Sequence, residues 1–220
     1  MTRAWEERFS QHATPYGKVF QTVELENVEV GKPPVALHFA DPLAIWSVLA
    51  VEVPSLWNVL VGMAAASTVW EWVFYSDGAT AGNLLHFDPA KAMEVIYVSL
   101  RQFGNRLHFV DSWACICCIR NQTLKHVRGG LATVVRVLLE KCQRASAQLM
   151  IQGPVGQAAL YVRVVMGYFI SDESAQQHAM SFKGACAEIY TYIIETKSRI
   201  YIYIYIHIIE IKSRNHLLII

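Results

Sequence analysis

Within Leu37-His38-Phe39-Ala40-Asp41-Pro42-Leu43-Ala44-Ile45-Trp46 a histidine and a carboxylate stand three residues apart, directly before a helix start. An imidazole can give or take a proton near neutral pH, and a carboxylate can hold a hard cation. A second group of reactive side chains is Cys115-Ile116-Cys117-Cys118, which holds three of the chain's five cysteines. Zinc sites use pairs of ligands separated by two to four residues, and His126 and Cys142 do not complete a second pair. Buried, reduced thiols are therefore expected, and an odd, crowded set does not read as a disulfide framework. Gly153-Pro154-Val155-Gly156 lacks the Lys-Ser or Lys-Thr ending of a phosphate-binding loop. Neither a Gly-x-Ser-x-Gly elbow nor a His-Glu-x-x-His helix occurs in the sequence.

The elements that must position the first group can be read locally. Val35 to Phe39 is a short apolar strand. Asp41 follows as an N-cap, and Pro42 takes the first helical position, where its missing N–H costs nothing, so Leu43 to Ala50 reads as a helix. This order sets Asp41 just past the carboxyl end of a strand, where ligand sites of α/β folds collect. The plainer reading of Asp41-Pro42 is a cap and nothing more. Leu85-His86-Phe87-Asp88-Pro89 is a similar string, leading into Ala90 to Leu100 as a second helix start.

Leu37 to Trp46 resembles the His-Asp-Pro-Leu-Ala-Val motif near the C-terminal end of inosine-uridine preferring nucleoside hydrolases. Residue by residue, Asp41 matches the aspartate that binds the family's calcium, and Pro42-Leu43-Ala44-Ile45 follows the pattern. The resemblance covers roughly residues 10 to 53, with Thr14-Pro15-Tyr16-Gly17 and Pro33-Pro34-Val35-Ala36-Leu37 compatible with what precedes the motif. It implies a calcium site that orients ribose hydroxyls and activates water, and a histidine that protonates the departing base. In this chain Ala40 stands where that histidine would, and His38 is displaced by two residues, about 6 to 7 Å along an extended strand. No Asp precedes Asp41, so the family's N-terminal acidic cluster is missing. The resemblance therefore implies a C-terminal fragment: metal ligand Asp41, catalytic candidate His38, calcium only if other ligands are supplied, and a nucleoside substrate not hydrolysed by the chain alone.

The fold class expected is an α/β fragment with a mostly helical remainder and a low-complexity tail, in three regions. Residues 1–53 form the nucleoside hydrolase-like piece, 54–188 an apolar, mostly helical region, and 189–220 a repeat-derived Ile/Tyr-rich tail. Val19 to Val30 reads as extended and residues 3 to 12 as a short helix. The clearest amphipathic helix is Leu131 to Met150, with Leu131, Val134, Val135, Leu138, Leu139, Cys142 and Leu149 on one face. Tyr161 to Ile170 is a buried strand or helix, which periodicity does not resolve. In the tail, Ile189 to Arg199 recurs almost unchanged as Ile204 to Arg214, and Tyr201 to Ile206 alternates as a translated TA tract would. Such a segment, apolar on both faces, is an aggregation signature rather than a site.

Composition narrows the partners. With 54% hydrophobic and 17% charged residues the 220-residue chain can bury a core, and a net charge of +1 supplies no phosphate-binding patch, so no nucleic acid is expected. The first residues, Met1-Thr2-Arg3-Ala4-Trp5-Glu6-Glu7-Arg8, carry neither a secretory apolar run nor a transit-peptide composition, and a cytoplasmic location is the expectation. Two alternatives stand beside the hydrolase relation. One is a small membrane-associated, non-enzymatic protein touching lipid through residues 54–75 and the tail. The other is a mispredicted coding sequence with intron-derived residues after about 53.

Overall fold

The computed structural model describes residues 7–9, 12, 14–80, 92–143, 148–171, 190–196 and 199–205. Its first elements follow the local rules. Strand β1 (Phe20–Leu25) pairs antiparallel with β2 (Val35–Ala40), from Phe20 opposite Ala40 to Leu25 opposite Val35. Asp41 then caps α1 (Pro42–Glu52), which turns sharply into α2 (Pro54–Ala66) at a second proline start. A second proline N-terminus about three turns after the first explains the break: Pro54 cannot donate into the preceding turn, so the chain restarts in a new direction.

Strands β3 (Val69–Thr80), β4 (Ala92–Leu100) and β5 (Ala114–Arg120) follow, with two 3-10 turns, Arg101–His108 and Val110–Ser112, between the last two. A short helix α3 (Asn121–Leu124) and the amphipathic α4 (Gly130–Gln143) lead to β6 (Leu149–Ile151) and β7 (Leu160–Ser171). The backbones of β8 (Tyr190–Thr196) and β9 (Arg199–Tyr205) form a hairpin. All join one mixed sheet in the order β1-β2-β5-β4-β3-β7-β9-β8, with β6 paired to β7. Among the described residues only β3 and β7 run parallel, and the other pairs are antiparallel.

One face of this sheet carries the core. Leu37 and Phe39, Trp70, Trp72 and Phe74, Ile96, Val98 and Leu100 point the same way and are buried against α1 and α4. Helix α1 is apolar on every side and sits inside, its Leu43, Ala44 and Ala50 fully enclosed, as an all-round hydrophobic helix must be. Trp46 on it meets Phe103 from the first 3-10 turn at 5.6 Å between ring centroids. Both sides of residue 53 thus share one core: β2 pairs with β5, and α1 packs on α2, α4 and β6.

A bulge in β5 decides which cysteines face that core. Ile96 pairs with Cys117 and Tyr97 with Cys115, so Ile116 is an extra residue on β5. Ile116 and Cys117 are both buried, while Cys115 and Cys118 fall on the opposite, open face. A second irregularity places Gly167 of β7 between the partners of Trp72 and Val73, and a Cβ there would stand 2.7 Å from the Trp72 carbonyl oxygen. Glycine is required by that close approach.

Several expectations are corrected. The region after 53 is not mostly helical: five strands, β3 to β7, run through its described part. Ala92–Leu100 is strand despite the Asp-Pro lead-in, because Val95, Ile96, Tyr97 and Val98 are strand formers and pair along the length of β3. Asp88-Pro89 itself lies outside the described residues. The amphipathic helix covers Gly130–Gln143 and does not extend to Leu149, which reaches the core from β6 instead. Tyr161 to Ile170 resolves as strand through its pairing with β3. Of residues 3 to 12, 7–9 are helical, and most of the second tail copy lies outside the described residues.

Candidate functional site

Asp41 is fully buried at the junction of β2 and α1. Its Oδ1 accepts from the backbone N–H of Leu43 at 3.0 Å and of Ala44 at 3.3 Å, two of the donors a helix start leaves unpaired. Its Oδ2 accepts from Gln21 Nε2 at 2.9 Å, and its own N–H donates to the Val19 carbonyl at 2.7 Å. The Gln21 carbonyl oxygen in turn accepts from Lys141 Nζ at 3.0 Å. The Lys141 ammonium stands 5.6 Å from the Phe39 ring centroid. A buried carboxylate is thus linked to a cation on α4 through one amide, and each of its oxygens has a donor. Such pairing is what makes an enclosed charge tolerable.

This donor set does not fit calcium. A calcium ion takes six to eight oxygens, whereas the groups around Asp41 are N–H donors backed by an ammonium, an environment built for an anion. Among the described residues no three His, Cys, Asp or Glu side chains gather closely enough to hold an ion.

Nor does the structure bring His38 to Asp41. On β2 the side chains alternate, and His38 is exposed on the open face while Leu37 and Phe39 enter the core. His38 Nδ1 lies 2.9 Å from Thr22 Oγ1 on β1. The carboxyl end of β2 is flanked on both sides by antiparallel strands, so it is not the crevice between parallel strands where α/β sites form.

The cysteine group is divided by the bulge. Cys117 is buried and its thiol approaches the His38 carbonyl oxygen at 4.0 Å. Burial first, then the Cys115 and Cys118 thiols, push its pKa up to about 12. Burial also raises Cys115. Cys118 is exposed, and its Sγ lies 3.1 Å from Met93 Sδ on β4. Buried thiols were expected throughout; Cys118 departs from that because the extra residue returns it to the open face. Gln21 and Lys141 carried no signal in sequence, since neither lies near Asp41 along the chain and their link to it exists only once β1 and α4 pack together.

No family model, curated protein or solved structure matches this chain.

Proposed function

We propose that this chain is a nucleoside hydrolase-like protein that does not hydrolyse nucleosides by itself, N-glycosidic cleavage being the ancestral reaction. The observation that supports it is the commitment of Asp41. The residue that matches the family's metal ligand spends its carboxylate on the α1 N-terminus and Gln21, so what persists of the motif is its strand–cap–helix architecture. His38, on the opposite face, has no path to a base bound beside Asp41. A colorimetric assay for free ribose, run on the purified full chain with inosine or uridine and millimolar calcium, is expected to be blank, and calcium is expected to leave the melting temperature unchanged. Calcium-dependent ribose release that disappears in Asp41→Asn would overturn the reading.

A second reading draws on α2. That helix carries no charged residue, and Val61 on it is 40% exposed. No single helix among the described residues is long and apolar enough to cross a membrane, and α1 with α2 passes the length and composition test only as a pair bent by 115°. Because α1 is enclosed in the core, lipid contact falls to the outer face of α2. Partition into the detergent phase on Triton X-114 separation would favour this reading, and recovery in the aqueous phase would remove it.

A further inference from the structure

The open face of the sheet brings three soft or borderline donor atoms together from three strands. Cys118 on β5 is an exposed thiol, and Met93 Sδ on β4 is 3.1 Å from its sulfur. Phe39 pairs with Cys117 across the antiparallel β2–β5 ladder, which sets His38 directly opposite Cys118 on the open face. Side chains so opposed have Cβ atoms about 5 Å apart, within reach of one ion. The contact between His38 Nδ1 and the Thr22 hydroxyl holds the ring through one nitrogen and leaves Nε2 as the donor for an ion, the role an outer-shell partner plays for a metal-binding histidine.

We propose that Cys118, Met93 and His38 form a three-donor site for Cu(I). A thiolate, a thioether and an imidazole are the donors a soft monovalent ion prefers, and a thioether is a poor ligand for zinc or any harder cation. The site does not require three of the side chains that bind harder metals, because its third donor is a methionine. Binding displaces one proton: the Cys118 S–H bond is lost, the Sγ–Cu bond forms, and the proton leaves to solvent, with no change of oxidation state. The bulge at Ile116 is what makes the arrangement possible, since without it Cys118 would face the core. Cys115 is on the same face, three residues away across the bulge, half-buried and with its thiol pKa raised by burial. It is a neighbour of the site rather than one of its donors.

The test is an anaerobic titration of the fully reduced chain with Cu(I), in competition with the chromophoric chelator bathocuproine disulfonate. One equivalent is expected to bind per chain, with thiolate-to-copper absorption in the near ultraviolet and both sulfur and nitrogen neighbours in the copper X-ray absorption spectrum. Cys118→Ser should abolish binding. Met93→Leu, which keeps the volume and removes the sulfur, and His38→Ala should each weaken it by about tenfold or more, while Thr22→Val, which removes only the ring's support, should weaken it by about tenfold. Cys115→Ser, Cys142→Ser and Cys186→Ser should bind as the wild type does. Failure of the wild type to bind, retention of binding in Cys118→Ser, loss through Cys142→Ser or Cys186→Ser, or equally tight binding of zinc would each overturn the proposal. Melting curves without copper guard against a folding defect, and Met93→Leu decides the matter should Cys118→Ser melt early.

Discussion

The two faces of β2 use their polar residues in opposite ways. On the core side, Asp41 is enclosed and its carboxylate is directed at holding the fold, with two hydrogen bonds from the start of α1 and one from Gln21, Lys141 standing behind it. On the open side, His38, Cys118 and Met93 are held by the strands but support little of the core. A buried charge must be satisfied by the protein itself, so it is consumed by structure, whereas groups on an exposed face keep lone pairs for a ligand. The two residues that look like one site in sequence are therefore divided between a structural task and an available surface.

The sharpest way to break that contrast is Asp41→Ala. It removes the cap and leaves the buried Leu43 and Ala44 N–H groups and the half-buried Gln21 amide without their acceptor, for an expected loss of about 2 to 4 kcal/mol in urea denaturation, with the slope unchanged. Asp41→Asn keeps the Oδ1 acceptor but turns an amide toward Gln21. If Gln21 flips to meet it, Lys141 loses its acceptor, so a smaller loss of about 1 to 2 kcal/mol is expected. An Asp41→Ala chain as stable as the wild type would mean that the carboxylate is free for a ligand and that the two faces do not differ.

Lys141→Met tests the far end of the same link. It keeps the apolar stem against Phe39 and deletes the donor to Gln21, and a loss of about 1 kcal/mol in the melting free energy is expected. A larger loss than from Asp41→Ala would show that the ammonium, rather than the cap, organises the junction.

How far this contrast was legible in the sequence depends on the range of the interactions. Asp41-Pro42 could be read because a cap and an N1 proline act within one turn, and the structure places α1 where they predict. His38 was less legible: Val35 to Phe39 read only as an apolar strand, and its pleat, with Leu37 and Phe39 inward and His38 outward, is what the structure adds. Ala92–Leu100 shows the limit of the same rule: an Asp-Pro start was outweighed by the strand formers Val95 to Val98 together with nine residues of pairing with β3, and only the pairing lies beyond local reading. The cysteines were legible as a group and illegible as a geometry. Cys115, Cys117 and Cys118 are assigned to faces by the bulge at Ile116, and that bulge is a property of the β4–β5 register. Met93 lies 25 residues from Cys118 and joins it only through that register.

The thiols offer a finer comparison of the two faces. Cys117 has an ordinary pKa of 9.0, and burial, then the Cys115 and Cys118 thiols, raise it to about 12 in the folded chain. Below pH 9 both folded and unfolded states hold the proton, and the thiol adds no pH dependence. Above it the unfolded chain ionises first, so this contribution to stability falls as pH rises from about 9 toward about 12. The difference in stability between wild type and Cys117→Ala, measured by denaturation at each pH, should be flat below pH 9 and shrink above it; a flat difference throughout would mean that Cys117 is not enclosed. In native alkylation with iodoacetamide, the exposed Cys118 should be modified far faster than the buried Cys117, which reacts only through opening of the sheet.

The smallest expected effect is the most discriminating. His38→Ala removes an exposed imidazole hydrogen-bonded to the exposed Thr22 hydroxyl, so the change in unfolding free energy should stay within about 0.5 kcal/mol. Against a loss several times larger at Asp41, only three residues away, that near-neutrality would show that the open face holds its histidine without depending on it. A loss comparable to that of Asp41→Ala would instead make His38 part of the fold's support, and the lone pair of its Nε2 would no longer be free for a metal. Because Cys118 is its direct neighbour across the ladder, the pair can be examined by a double-mutant cycle with Cys118→Ser. Without copper the two losses should add within about 0.5 kcal/mol, and only with copper bound should they couple, since the ion is what joins them.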